Sequence, residues 1–174
     1  MSLILGILDS GVAAAGAASS YESIATVTVG SGGAANVEFT SIPATYTHLQ
    51  VRGIARHSSV ETDIKVQLNS DTGSNYSQHR IYGTGSATGA SGDASQTAMN
   101  YCGRMDATAN TFGANVIDIL DYTNTNKYKT VRTLMGFDAN GSGYVSLGSG
   151  LWMNTAAVTS IKLSPYSGTF VQYT

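Results

Sequence analysis

The sequence predicts an all-β protein: an antiparallel β-sandwich, jelly-roll-like, of about ten strands, preceded by an N-terminal arm. Three observations carry this expectation. Short segments alternate apolar and polar residues and are rich in Val, Ile, Thr and Tyr, the types that fit a pleated, half-buried surface. Clusters of Gly, Asn, Asp and Ser punctuate those segments at strand-like spacing. Helical periodicity is confined to the first residues, so the chain divides into an arm over 1–20 and one sandwich domain over 21–174.

Taken in order, IATVTV at 24–29 alternates and leads through GSGGAAN at 30–36 into VEFTSI at 37–42, which predicts a hairpin closed by Pro43. THLQVRGIAR at 47–56 is a long strand, and HSSVET at 57–62 an exposed loop. DIKVQLN at 63–69 points Ile64, Val66 and Leu68 inward, and NSDTGSN at 69–75 turns the chain. YSQHRIYG at 76–83 returns as a strand, and TGSATGASGD at 84–93 is expected to be a loop of small residues. TAMNYCGRM at 97–105 is a strand. FGANVIDILDY at 112–122 is apolar on both parities, as in a strand buried on both faces or a bulged one. YKTVRTLMGF at 128–137, YVSLGSGLWM at 144–153, VTSIKLS at 158–164 and TFVQYT at 169–174 complete the series, with one helical turn allowed in NTAAVTS at 154–160.

Composition narrows the function classes. Charged residues are 11% of the chain, against roughly a quarter in an average globular protein, and the net charge is -2. A surface so poor in charge is suited to being covered. No basic footprint exists for a phosphate backbone, so nucleic acid is not an expected partner. The single cysteine, Cys102, forms no internal disulfide and reads as a small buried residue.

Signatures of catalysis are missing: no G-x-S-x-G elbow, no phosphate-binding loop, no H-E-x-x-H. The chain is therefore expected to be non-enzymatic and to need no cofactor or metal. DANGSG at 138–143 places Asp138, Asn140 and Ser142 as the start of an EF-hand loop would, but Ser149 stands where a bidentate Glu is required, so it reads as a hairpin turn. Asp71 is expected to cap local backbone N–H groups. His57, near Glu61 and Asp63, reads as an exposed loop residue. Two groups remain as candidate glycan or subunit contacts. Tyr76, Arg80 and Tyr82 share one face of their strand with Gln78, where Tyr stacks and Arg donates in a fork. Asp121, Tyr122, Asn124, Asn126 and Tyr128 crowd one turn. For both groups the competing reading is ordinary strand and turn structure.

The arm, MSLILGILDSGVAAAGAASS, carries Leu3, Ile4, Leu5, Ile7 and Leu8 in front of a Gly, Ala and Ser run. A secretion signal wants a positive start, yet the first basic residue is Arg52; Asp9 interrupts an apolar stretch too short to span a membrane. The expectation is an assembly contact, with those five aliphatics as its grip and no membrane partner.

SSYESIATVTVGSGG at 19–33, SIPATYTHLQVRGIAR at 41–56, LNSDTGSNYSQHRIYG at 68–83, IDILDYTNTNKYKTVR at 117–132 and GSGLWMNTAAVTSIKL at 148–163 resemble a group of small virion structural proteins of tailed bacteriophages, many from aquatic hosts. The likeness covers most of the chain and is one of phrases, with no catalytic signature. It implies a particle component located in the virion, on the outer surface of the head or on the tail. The leading expectation is a capsid decoration (cement) protein, a homo-oligomer of trimer type that contacts the major capsid protein or another virion protein. The alternative is a tail fibre or tail-tip protein binding a host glycan. Members of the group carry one more apolar strand after the equivalent of TFVQYT, which places the closing edge of the sandwich in question.

Overall fold

The computed structural model describes residues 21–174. They form ten strands and, among the described residues, no helix. The strands are β1 (Val37–Phe39), β2 (Leu49–Ala55), β3 (Thr62–Leu68), β4 (Tyr76–Gly83), β5 (Thr88–Gln96), β6 (Met99–Met105), β7 (Gly113–Leu120), β8 (Lys129–Asp138), β9 (Gly143–Trp152) and β10 (Ile161–Pro165). A four-stranded sheet runs β1-β10-β3-β6 and a six-stranded sheet runs β2-β7-β8-β9-β4-β5. Every strand pairing is antiparallel. The architecture is the antiparallel β-sandwich expected from the alternation.

The period of two decides what lies between the sheets. Ile64, Val66 and Leu68 of β3 are buried, as expected; Val66 and Leu68 share one core cluster with Ile117, Ile119, Val131 and Trp152 from the opposite sheet. Trp152 is fully buried and stacks on its cross-strand partner Tyr76, ring centroids 6.4 Å apart. Trp152 Nε1 donates to Asp71 Oδ2 at 2.7 Å, so the one polar atom of the indole is satisfied. Asp71 also accepts from the Gly73 N–H and from Asn75 Nδ2, which is the backbone-capping role expected of it. Burial alone raises a carboxyl, but these hydrogen bonds outweigh it and hold Asp71 below its ordinary value. β6 presses close to β9: a Cβ added at Gly150 would stand 2.6 Å from Met99 Sδ, so the GSG at 148–150 is what lets the sheets approach.

Several expectations are corrected. Segment 24–29 is not a strand of a hairpin, because β1 pairs with β10 instead; Val29 at its end exchanges backbone hydrogen bonds with Tyr173 and Thr174. Likewise 169–174 joins neither sheet as a strand and makes isolated bridges through Phe170. The stretch 84–93 is not a loop throughout: β5 covers most of it as an edge strand, recruited by the main chain of β4. β7 is neither buried on both faces nor bulged. It alternates, with Val116, Asp118 and Leu120 outward. No helical turn forms at 154–160, where Asn69 takes over the backbone, accepting from the Thr159 and Ser160 N–H groups and donating to the Ala157 carbonyl. His57 is not exposed. It is 1% accessible, Nδ1 accepts from the Ser59 and Val60 N–H groups, and Nε2–H donates to the Ser167 carbonyl at 2.6 Å. The arm, with Leu3, Ile4, Leu5, Ile7 and Leu8, lies outside the described residues.

Candidate functional site

The face of β4 that carries Tyr76, Gln78, Arg80 and Tyr82 is the inner one, which corrects its expected role as an exposed face. Tyr76 is fully buried, and its hydroxyl sits among the backbone of Leu68 and Asp71, accepting from the Leu68 N–H at 3.1 Å. Burial pushes that phenol up to about 12. Gln78 bridges β5 and β6, donating to Asp93 and accepting from the Tyr101 N–H.

Arg80 is the centre of a polar layer between the sheets. Its guanidinium lies 3.7 Å from the Tyr101 ring centroid, with Tyr82 and Tyr144 at 5.1 and 5.7 Å. Nε donates to Ser91 Oγ, and Nη1 meets Asp63 at 3.3 Å. Asp63 also receives Arg104 at 3.1 Å, and Arg104 continues to Glu61. Arg104 in turn lies over the Tyr144 ring, which stacks on Tyr82 at 5.4 Å. Burial by itself would lower Arg104, but the Asp63 and Glu61 carboxylates raise it and fix its charge. The side chains of Arg80, Arg104 and Asp63 are 12, 18 and 10% exposed. This is a network of two cations, two carboxylates and three rings, in which the buried Tyr144 hydroxyl has no hydrogen-bond partner among the described residues. It ties β3, β4, β6 and β9 together.

The turn at 121–128 lies at the other end. Tyr76 pairs with Trp152, and Trp152 with Lys129, whereas Gly83 pairs with Val145. Arg80 and Tyr82 are thus separated along the strands from the turn; of the two candidate groups, Tyr76 and Tyr122 come into one core cluster. Tyr122 points inward, fully buried, and its hydroxyl donates to the Pro43 carbonyl. It is core, and its expected place as a ligand contact is corrected. The Asp121 carboxylate accepts from Lys127 while its backbone N–H donates to His48 Nδ1, and the Lys127 ammonium holds the carboxyl below the usual range. The Asn124 carbonyl accepts from Lys129 Nζ, which also donates to the Lys127 and Thr155 carbonyls and is buried. Asn126 and Tyr128 are the exposed members of the group.

The site that sequence reasoning missed is the outer face of the six-stranded sheet. Register aligns Arg52, Val116, Leu134, Leu147, Ile81 and Ala90 in one row across β2, β7, β8, β9, β4 and β5. A second row aligns Ile54, Ala114, Gly136, Val145 and Gly83. Ile54, Ile81, Leu134, Val145 and Leu147 are 49–62% exposed. A shallow concavity of about 650 Å³ opens on this face beside His79, Ile81, Arg132 and Leu147. A signal was present in TVRTLMGF of β8 and GYVSLGSGLW of β9, where both parities hold apolar residues, but only register shows that the outward ones adjoin.

Among the described residues, no three or more His, Cys, Asp and Glu side chains converge as a metal site would require. In DANGSG, Asp138 Oδ1 accepts from the Asn140 N–H, and the Ala139 N–H donates to the Ser142 carbonyl, as in a hairpin turn. Cys102 is buried within the core, and burial raises its thiol well above the ordinary range. In comparisons with known proteins, no family model, no curated protein and no solved structure matches this chain.

Proposed function

We propose that the protein is a non-enzymatic structural component of a tailed-phage virion, acting as a capsid decoration protein that oligomerises on the head shell and uses its N-terminal arm in docking. The observation that carries this reading is the outer face of the six-stranded sheet. Leu134, Leu147 and Ile81 are register neighbours there, Val145 lies two residues along β9 from Leu147, and all four are exposed, in a chain of 11% charge. A contiguous apolar patch on a protein with so few charges is a surface for another surface, not for a small solute. Arg80, Arg104, Asp63 and Glu61, with Tyr82, Tyr101 and Tyr144, are engaged in joining the sheets.

Strand order supports the jelly-roll reading. Strands from both ends of the chain sit side by side in β1-β10-β3-β6, while the second sheet begins with β2 and ends with β4-β5. An eight-stranded double Greek key gives this order when the strand between β2 and β4 is replaced by the meander β7-β8-β9. A sandwich of this kind presents broad sheet faces for packing between subunits.

Copy number per virion tests the proposal. Quantitative mass spectrometry of purified particles should count hundreds of copies, as a head lattice demands; a few dozen or fewer would refute decoration. Exposed Asn126 and Tyr128 favour the second reading, a tail protein that binds host glycan. Under that reading Tyr128→Ala weakens adsorption to host cells, and unchanged adsorption rejects it.

A further inference from the structure

Opposite charges sit side by side, unpaired, on the outer face of the six-stranded sheet. Register aligns Gln50, Asp118, Arg132 and Ser149 across β2, β7, β8 and β9. Asp118 and Arg132 are cross-strand neighbours, yet no ion pair joins them. Asp118 Oδ1 accepts from Gln50 Nε2 at 2.6 Å. Among the described residues, Asp118 Oδ2 and the Arg132 guanidinium have no hydrogen-bond or ion-pair partner. The same four strands carry exposed aliphatics. Val116 and Leu134 are neighbours in the next row, and the row beyond aligns Ile54, Ala114, Gly136 and Val145, with its two bulky residues at the ends.

A second copy of this face complements it. A two-fold axis laid along the strands, midway between β7 and β8, places β7 of one copy over β8 of the other and β2 over β9. Each row then meets its own reverse. Asp118 faces the partner's Arg132, and Arg132 faces the partner's Asp118. Gln50 meets Ser149, Val116 meets Leu134, and Ile54 meets Val145. Leu147 meets the methylene stem of Arg52, whose guanidinium is engaged by Gln50 and the Tyr21 ring. An axis one strand over, between β8 and β9, would bring the two Arg132 side chains beside each other, so charge selects the first. The four strands are seven to ten residues long. At ordinary spacing and rise they offer a flat footprint of about 500 Å² per copy. Side-chain relief adds to that, against about 800 Å² per partner in a standard specific interface.

We infer that a second copy of this chain packs on the outer face through β2, β7, β8 and β9, about a two-fold that sets Asp118 of each copy against Arg132 of the other. The inference rests on the proposed function for an oligomerising face and names the partner that covers it. β4 and β5, with Ile81, lie beyond this contact and stay open to a particle.

Sedimentation velocity of the full chain, free of particles, tests it. At about 100 μM, enough to populate a small specific contact, the parent should sediment as a dimer of the 18.0 kDa chain. Asp118→Arg alone, or Arg132→Asp alone, opposes like charges twice and should weaken the dimer about ten-fold or more. An equimolar mixture of the two variants should regain the dimer, because each reversed charge then meets its complement. The double reversal in one chain should regain it as well. A role of either residue in folding alone would not be rescued by mixing. Ile54→Asp, at an exposed site, should also weaken the dimer about ten-fold, which keeps the test open where a reversal fails to fold. A monomeric or trimeric parent, a dimer indifferent to these substitutions, or a mixture that stays monomeric would overturn the inference. Copy number per virion is measured separately, so failure here and failure of the decoration reading are told apart.

Discussion

On β4, Arg80 faces inward into a net of Asp63, Tyr82, Tyr101 and Tyr144, while its neighbour Ile81 faces outward and is 62% exposed. The usual placement, charge outside and aliphatics inside, is inverted at this end of the six-stranded sheet. The inner cations are tolerated because each meets a carboxylate and an aromatic face, which replaces lost hydration. The outer aliphatics stay half exposed, and a covering surface is what makes such a row favourable. Polar residues here hold the sheets together, and the aliphatics beside them face outward.

Four substitutions probe that contrast. The largest effect belongs to the core. Trp152→Ala, which removes a fully buried indole and its bond to Asp71, should cost about 4 kcal/mol in denaturant unfolding. Asp63→Ala comes next: it leaves Arg80 and Arg104 facing each other across a largely buried layer and should cost about 3 kcal/mol. A loss below about 1 kcal/mol would mean the network adds no more than a surface ion pair does and would weaken the structural reading of Arg80.

Asp71→Asn exchanges a charged acceptor for a neutral one and should cost about 1 kcal/mol at neutral pH. It also has a pH signature. The folded carboxyl is held below its unfolded value, so its contribution is complete above about pH 4 and is lost as pH falls through the folded value. Thermal melts of the variant across the acid range should therefore show a shallower acid limb than the parent, and an unchanged limb would place the acid sensitivity elsewhere. On the outer face, Leu147→Ser should leave stability within about 0.5 kcal/mol of the parent. If the proposed decoration role holds, its effect should be on association: binding to particles weakens by about ten-fold, as expected for one buried aliphatic at a contact. Strong destabilisation with normal binding would erase the difference between the two faces.

The sandwich is legible in the alternation because parity and burial are the same information in a half-buried strand. Ile64, Val66 and Leu68 need no partner to declare their side. β5 is not legible. Its Gly, Ala and Ser side chains carry almost no hydrophobic signal, and its strand state comes from backbone hydrogen bonds to β4. The reverse error lies at 24–29, where β-branched alternation is strong but β1 takes β10 as its neighbour. Of the candidate residues, Asn126 and Tyr128 keep an exposed position, while Tyr76 and Tyr122 are core because their hydroxyls find backbone carbonyls inside the fold.

Local period and composition are enough to set the class of fold, the strand faces that carry the core, the capping role of Asp71 and the poverty of charge. None of these needs knowledge of neighbours. That β1 joins β10, that Arg80 is enclosed and that Leu134, Leu147 and Ile81 form one row are decided in three dimensions alone. Each depends on register between strands distant in sequence, and register is fixed by packing and by main-chain pairing across the whole sheet.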